Sequence, residues 1–186
     1  MLQAVLSSFA LVAVSEMGDK TQLLAFSLAA RYKKPWPIMG GILVATLLNH
    51  ALAATVGQWT SLQLSPHVLA LGLGTLFIAF GIWTLKPDSY DEGKQEERFG
   101  PFLTTAVLFF LAEMGDKTQF ATIALGARYQ SAVAVTFGTT LGMLFTDGLA
   151  VFLGEKLADK VQMKWIRISA ALLFFAFGIA SLIAAF

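Results

Sequence analysis

Seven consecutive residues, Glu16-Met-Gly-Asp-Lys-Thr-Gln22, return unchanged as Glu113-Met-Gly-Asp-Lys-Thr-Gln119, 97 positions further on. At the same offset and without a gap, Arg31-Tyr32 aligns with Arg128-Tyr129, Gly41 with Gly138, and Gly57 with Gly154. Ala79-Phe80-Gly81-Ile82 likewise meets Ala176-Phe177-Gly178-Ile179. A self-match of this extent means one structural unit used twice, so the fold of the first half constrains that of the second.

Hydropathy says what the unit is. Apolar residues make up 56% of the 186 and charged residues only 13%, against about 25% charged in an ordinary soluble domain. Stretches near the 20 residues that cross a bilayer run about Leu2 to Ala30, Pro37 to Gln58, Pro66 to Leu85, Pro101 to Ala127, Ala132 to Gly154 and Trp165 to Phe186. The chain therefore reads as an all-α integral membrane protein of six transmembrane helices. Residues 1–85 form a first three-helix repeat, 86–100 an acidic linker too short for a core of its own, and 101–186 a second repeat. Three is odd, so the second copy enters the membrane from the opposite side. Such inverted repeats are a common plan of secondary transporters, with the site at the repeat interface near the midplane.

Lys and Arg set the orientation. Ten fall after spans one, three and five, and only Arg128 falls on the other side, which places both termini away from the cytoplasm and the linker inside. No Lys or Arg precedes Glu16, so the first span lacks a signal peptide's basic leader and reads as mature structure. A net charge of +1 leaves no footprint for nucleic acid. The absence of cysteine removes thiolate metal sites and thiol nucleophiles.

The motif puts charge where it is expensive. Glu16, Asp19, Lys20, Glu113, Asp116, Lys117 and Asp147 are seven ionisable groups in hydrocarbon, at roughly 2.5–3.5 kcal/mol each if unpaired. On a continuous helix Glu16, Asp19 and Lys20 share one face, and Glu16–Lys20 and Glu113–Lys117 have the favoured i, i+4 order for an ion pair. Five carboxylates still oppose two lysines, and a cation is the simplest neutraliser. Glu16, Asp19, Glu113 and Asp116, with Thr21, Gln22, Thr118 and Gln119 beside them, form an oxygen-rich set that suits Ca²⁺ or Mn²⁺ better than Zn²⁺ or Cu⁺. Gly18 and Gly115 weaken the helix there and could free carbonyls as further ligands, and spans one and four are long enough to be bent or broken. Lys20 and Lys117 either balance charge or meet the cargo.

A second polar layer comes from spans two and five. Thr46, Asn49 and His50 share a face, and Thr136, Thr139, Thr140 and Asp147 run along span five. At the repeat offset Asn49 meets Thr146 and His50 meets Asp147, so the symmetry of charge breaks there. His50 and Asp147 are the candidates for proton handling, with a plain interhelical hydrogen bond as the bland alternative for each. Met17 and Met114 read as packing. The acidic residues between Asp88 and Glu97 read as a solvated linker that could also gather cations.

Glu-x-Gly-Asp-Lys-Thr, twice in a six-span chain with an acidic central loop, resembles the Gdt-like family of manganese and calcium cation/proton antiporters, whose signature is E-x-G-D-[KR]-[ST]. The resemblance covers essentially the whole chain and departs from neither motif. It implies that Glu16, Asp19, Glu113 and Asp116 line the cation path, with Lys20, Thr21, Lys117 and Thr118 completing the motifs. The short chain looks like the bacterial branch of manganese exporters, in the inner (plasma) membrane. It implies no enzyme activity and no cofactor, only a transported Mn²⁺ or Ca²⁺ and protons. Clustered carboxylates share protons when empty, so metal and protons would compete for them. A divalent cation channel uses the same residues as a selectivity ring. An intramembrane aspartyl protease is remoter, because Glu16 and Glu113 stand where a Gly-x-Gly-Asp motif has its first glycine. The small-residue stripes serve contacts within or between chains, so a homo-oligomer stays open.

Overall fold

The computed structural model describes residues 1–86, 99–157 and 163–186, with the side chains of 154–163 and of 166 left undescribed. The acidic run between Asp88 and Glu97 lies outside the described residues. Eight helices follow one another: α1 (Leu2–Glu16), α2 (Lys20–Tyr32), α3 (Pro35–Gln63), α4 (Pro66–Thr84), α5 (Pro101–Glu113), α6 (Lys117–Tyr129), α7 (Ala132–Leu157) and α8 (Met163–Ile183), with no strand among the described residues. Prolines 35, 66 and 101 stand in the first turns of α3, α4 and α5, where a missing N–H costs nothing. Ser65 caps α4 by accepting from the Val68 N–H.

Among the described residues three helices are long and apolar enough to cross a membrane, Pro35–Gln63, Pro66–Thr84 and Ala132–Leu153, while Leu2–Glu16, Pro101–Glu113 and Arg167–Ile183 are shorter apolar helices. The expected first and fourth spans are each broken in two at the motif, so the face shared by Glu16, Asp19 and Lys20 on one continuous helix does not exist. The cause is local. Gly18 and Gly115 take φ +77° and +75°, in the left-handed region that ends a helix.

Burial is inverted relative to a water-soluble domain. Glu16, Glu113, His50 and Asp147 have no exposed surface, whereas Leu52, Leu111 and Leu172 are about 60% exposed. Charge inside and leucine outside is the distribution of a chain surrounded by lipid.

The offset of 97 recurs in the packing. Gly41 of α3 lies against α5, where a Cβ would stand 2.6 Å from the Phe102 carbonyl oxygen. Gly138 of α7 lies against α1, where a Cβ would stand 2.5 Å from the Val5 carbonyl oxygen, Val5 being 97 residues before Phe102. Lys33 and Gln130, another pair at the offset, end α2 and α6 in the same left-handed conformation, donating to Ala29 and Gly126.

The two ends of the bundle differ. Gln58 of α3 accepts from the Ala132 N–H, and His67 at the start of α4 meets the Ala185 carbonyl, so these residues share one end, here called the terminal face. Tyr32 meets Thr104, and Trp36 packs on Phe152, at the opposite end, the loop face. One apolar core joins Phe77 and Phe80 of α4, Leu125 of α6 and Phe174 of α8. The other joins Leu28, Ile38, Ile42, Phe109 and Met143, from α2, α3, α5 and α7. No described residue of α4 or α8 belongs to that second core.

Candidate cation site

Each break sets the end of one half-helix beside the start of the next. The Asp19 and Asp116 N–H groups donate to the Glu16 and Glu113 carbonyls, and the Asp19 and Asp116 carbonyls accept from Leu23 and Phe120 to begin α2 and α6. Gln22 fixes the first turn through its amide oxygen, which accepts from the Gly18 N–H at 2.7 Å, and Gln119 does the same for Gly115 at 2.9 Å. Those two oxygens, grouped with the metal ligands on sequence grounds, each accept one hydrogen bond that holds a break. The second polar layer buttresses the half-helices. Asn49 donates to the Phe110 carbonyl at 3.0 Å, and its offset partner Thr146 donates to the Ala13 carbonyl at 3.1 Å. Phe110 and Ala13 are themselves 97 apart, each three residues before the motif glutamate. These carbonyls lie in last turns, where acceptors lose helical partners. The offset of 97 aligns Asn49 with Thr146, and that alignment is the one sign in the sequence of the task Thr146 performs.

With the helix interrupted, the lysines pair differently from the expected Glu16–Lys20 and Glu113–Lys117 order. Lys20 Nζ lies 3.1 Å from Asp116 Oδ1, and Lys117 Nζ lies 2.9 Å from Asp19 Oδ2. Both bridges cross between motif copies. The break turns each lysine away from its own glutamate, and the aspartate facing it belongs to the other copy. The two are unequal in exposure, with the Lys20 side chain 28% accessible and Lys117 4%.

Glu16, Asp19 and Asp116 each offer a carboxylate oxygen, all within 4.8 Å of one another, and all three residues are buried. Ligands on opposite sides of an ion with metal–oxygen distances of about 2.3–2.6 Å stand no more than roughly 5 Å apart. This trio is therefore compact enough to hold one divalent ion between the two copies. Glu16 also accepts hydroxyls from Thr21 at 2.7 Å and from Thr118 of the other copy. Glu113, grouped with these ligands on sequence grounds, stands outside the trio. Neither of its carboxylate oxygens has a hydrogen-bond partner, and its Oε2 faces His50 Nε2 at 4.0 Å, the imidazole being equally unpartnered. Both oxygens of buried Asp147 are unpartnered too.

The sequence matches the family described as "Divalent cation/proton antiporter GDT1" over residues 4–92 and 101–186. Among curated relatives, a protein of Vibrio cholerae named "Putative manganese exporter" is 45% identical over 94% of this chain and 88% of its own length. A GDT1-like protein of Synechocystis is 30% identical over 97% of each chain. GDT1-like protein 3 of Arabidopsis thaliana is 30% identical over 96% of this chain and 70% of its own. No solved structure matches.

Proposed function

The chain belongs to the GDT1 family of divalent cation/proton antiporters, and we propose that it exports Mn²⁺, with Ca²⁺ as a second cargo, from the cytoplasm in exchange for protons. Family membership makes it a membrane transporter, not an enzyme, with the metal as cargo. The observation that carries the proposal is the trio of Glu16, Asp19 and Asp116, three buried carboxylates contributed by both copies of the motif. All ligands are oxygen, which suits Mn²⁺ and Ca²⁺. The name of the Vibrio relative supports manganese.

In this reading the six spans are α1 with α2, α3, α4, α5 with α6, α7 and α8. Residues 1–85 and 101–186 are inverted repeats, and the terminal face lies outside the cytoplasm in agreement with the placement of Lys and Arg. The protein is then a multi-pass protein of a bacterial inner membrane, embedded in lipid and alone or in a homo-oligomer. Asp19 and Asp116 hold lysines in the present arrangement. An arriving cation displaces them, Lys20 more readily because its side chain is the more exposed. Glu113 and His50, beside the trio and free of hydrogen bonds, carry the proton. Asp147 adds a further buried carboxylate to the same layer.

Proteoliposomes carrying a pH-sensitive dye test this directly. Added Mn²⁺, and then Ca²⁺, should enter while protons leave, and Glu16→Gln should abolish both movements in a folded protein. Metal entry without proton countermovement would contradict antiport and favour a channel.

A further inference from the structure

Arg128, at the end of α6, reaches α8: its Nη1 donates to the Ser181 hydroxyl, and its guanidinium lies 5.4 Å from the Phe177 ring centroid as well as 5.9 Å from Tyr129. Subtracting 97 gives Arg31, Thr84, Phe80 and Tyr32. Arg31 keeps the local stacking, 5.6 Å from the Tyr32 ring. Thr84, the counterpart of Ser181, is 1% exposed, and its hydroxyl has no hydrogen-bond partner. One half of the chain makes the bridge between its second and last helices, and the other half leaves the acceptor buried and empty.

The packing has the same asymmetry. The helices α4 and α8 pack against each other, and α8 also lies on α1 and α4 on α6, the half-helices between the breaks and the terminal face. The counterparts at the offset, α4 on α5 and α8 on α2, make no comparable contact among the described residues. The core that α4 and α8 share draws its α6 residues from Ala121 to Ala127, between the break and the terminal face.

We propose that Arg128–Ser181 and Arg31–Thr84 are a pair of latches of which one is closed at a time. With Arg128 on Ser181 the α4/α8 pair closes the terminal face. When α4 and α8 tilt onto α5 and α2, Arg31 takes the Thr84 hydroxyl over Phe80, and the loop face closes. The inference rests on the antiport proposed above, taken to work by alternating access with the site opening to one face at a time, and names the residues that set its balance. Closing one latch opens the other, so each state leaves one of the two hydroxyls without its arginine, and neither state is too stable to leave.

The chain has no cysteine, so spin labels can be placed in pairs. Gln130→Cys with Ala184→Cys reports the terminal face, and Lys33→Cys with Leu85→Cys reports the loop face. In proteoliposomes under a proton gradient with Mn²⁺, each pair should show two distance populations. Ser181→Ala should move the population ratio about tenfold toward the loop-closed state, and Thr84→Val about tenfold the other way, the effect of one hydrogen bond to a charged group. Transport should slow in both. Two populations that neither substitution moves, or that both move in the same direction, would overturn the latches while leaving alternating access intact. A single population at both faces under every gradient would overturn alternating access itself.

Discussion

The Thr118 hydroxyl donates to Glu16, the glutamate of the other motif copy, and not to Glu113, five residues before it in its own. Thr21 donates to Glu16 as well, so identical heptapeptides yield one glutamate with two hydroxyls and one with none. The motif copies are chemically equal in sequence and unequal in the folded chain. That inequality is what a transporter with two exchanging states shows when either is caught alone.

The hydroxyls orient the Glu16 carboxylate toward Asp19 and Asp116. Thr118→Val keeps the shape and removes the donor, at a cost of about 1.5–3 kcal/mol for a hydrogen bond to a charged acceptor. Mn²⁺ affinity measured by titration should fall roughly tenfold or more, and because the bond itself joins the two motif copies the melting temperature of the metal-free protein should fall too, with unfolding still cooperative. Unaltered affinity would show that Thr118 does not support the ligand.

The crossed bridges make a different demand. Lys117→Met removes the cation facing Oδ2 of buried Asp19, leaves the Lys20 backbone N–H on Oδ1, and should destabilise the protein by about 3 kcal/mol, the lower end for breaking a buried pair. Lys20→Met, where the lysine is partly exposed although Asp116 is buried, should cost distinctly less, because solvent at the lysine screens the pair. A double-mutant cycle on thermal unfolding should show coupling between Lys117 and Asp19 and little between Lys117 and Glu113. The reverse pattern would restore the intrahelical pair.

Much of this was legible in the sequence and some was not. The offset of 97 located both motifs, the polar layer and the partners Asn49 and Thr146, because equivalent residues must occupy equivalent places. The length of the first and fourth spans and the glycines inside them pointed to bent or broken helices. Which lysine meets which aspartate depends on the direction the chain takes after Gly18 and Gly115, which residue spacing alone does not carry. The capping task of Gln22 and Gln119 was hidden for the same reason. Two identical heptapeptides also hold no sign of which glutamate receives both hydroxyls. Nor does Arg128, visible only as the lone cation on its side, disclose Ser181.

At Gly115 a Cβ would meet nothing within 4 Å, yet φ is +75°. Gly115→Ala should therefore lose about 1–2 kcal/mol from backbone conformation alone, and Gly115→Asn less, because asparagine tolerates that region. Unfolding monitored by tryptophan fluorescence separates the two. Equal stability of all three proteins would mean the break is not imposed by this residue.

His50 faces Glu113 outside the trio. His50→Asn should leave Mn²⁺ binding within about threefold, about half of the roughly 1.4 kcal/mol that makes a tenfold change, while uncoupling proton release from metal entry in proteoliposomes. Loss of Mn²⁺ binding would place the imidazole among the ligands instead.

The central claim is that both copies of the motif build one ion site. Electron paramagnetic resonance of free Mn²⁺, titrated against purified protein, counts bound ions without requiring transport. The expected result is one ion per chain, with Glu16→Gln, Asp19→Asn and Asp116→Asn each removing it. Two ions per chain, one lost with substitutions in the first motif and the other with substitutions in the second, would contradict it.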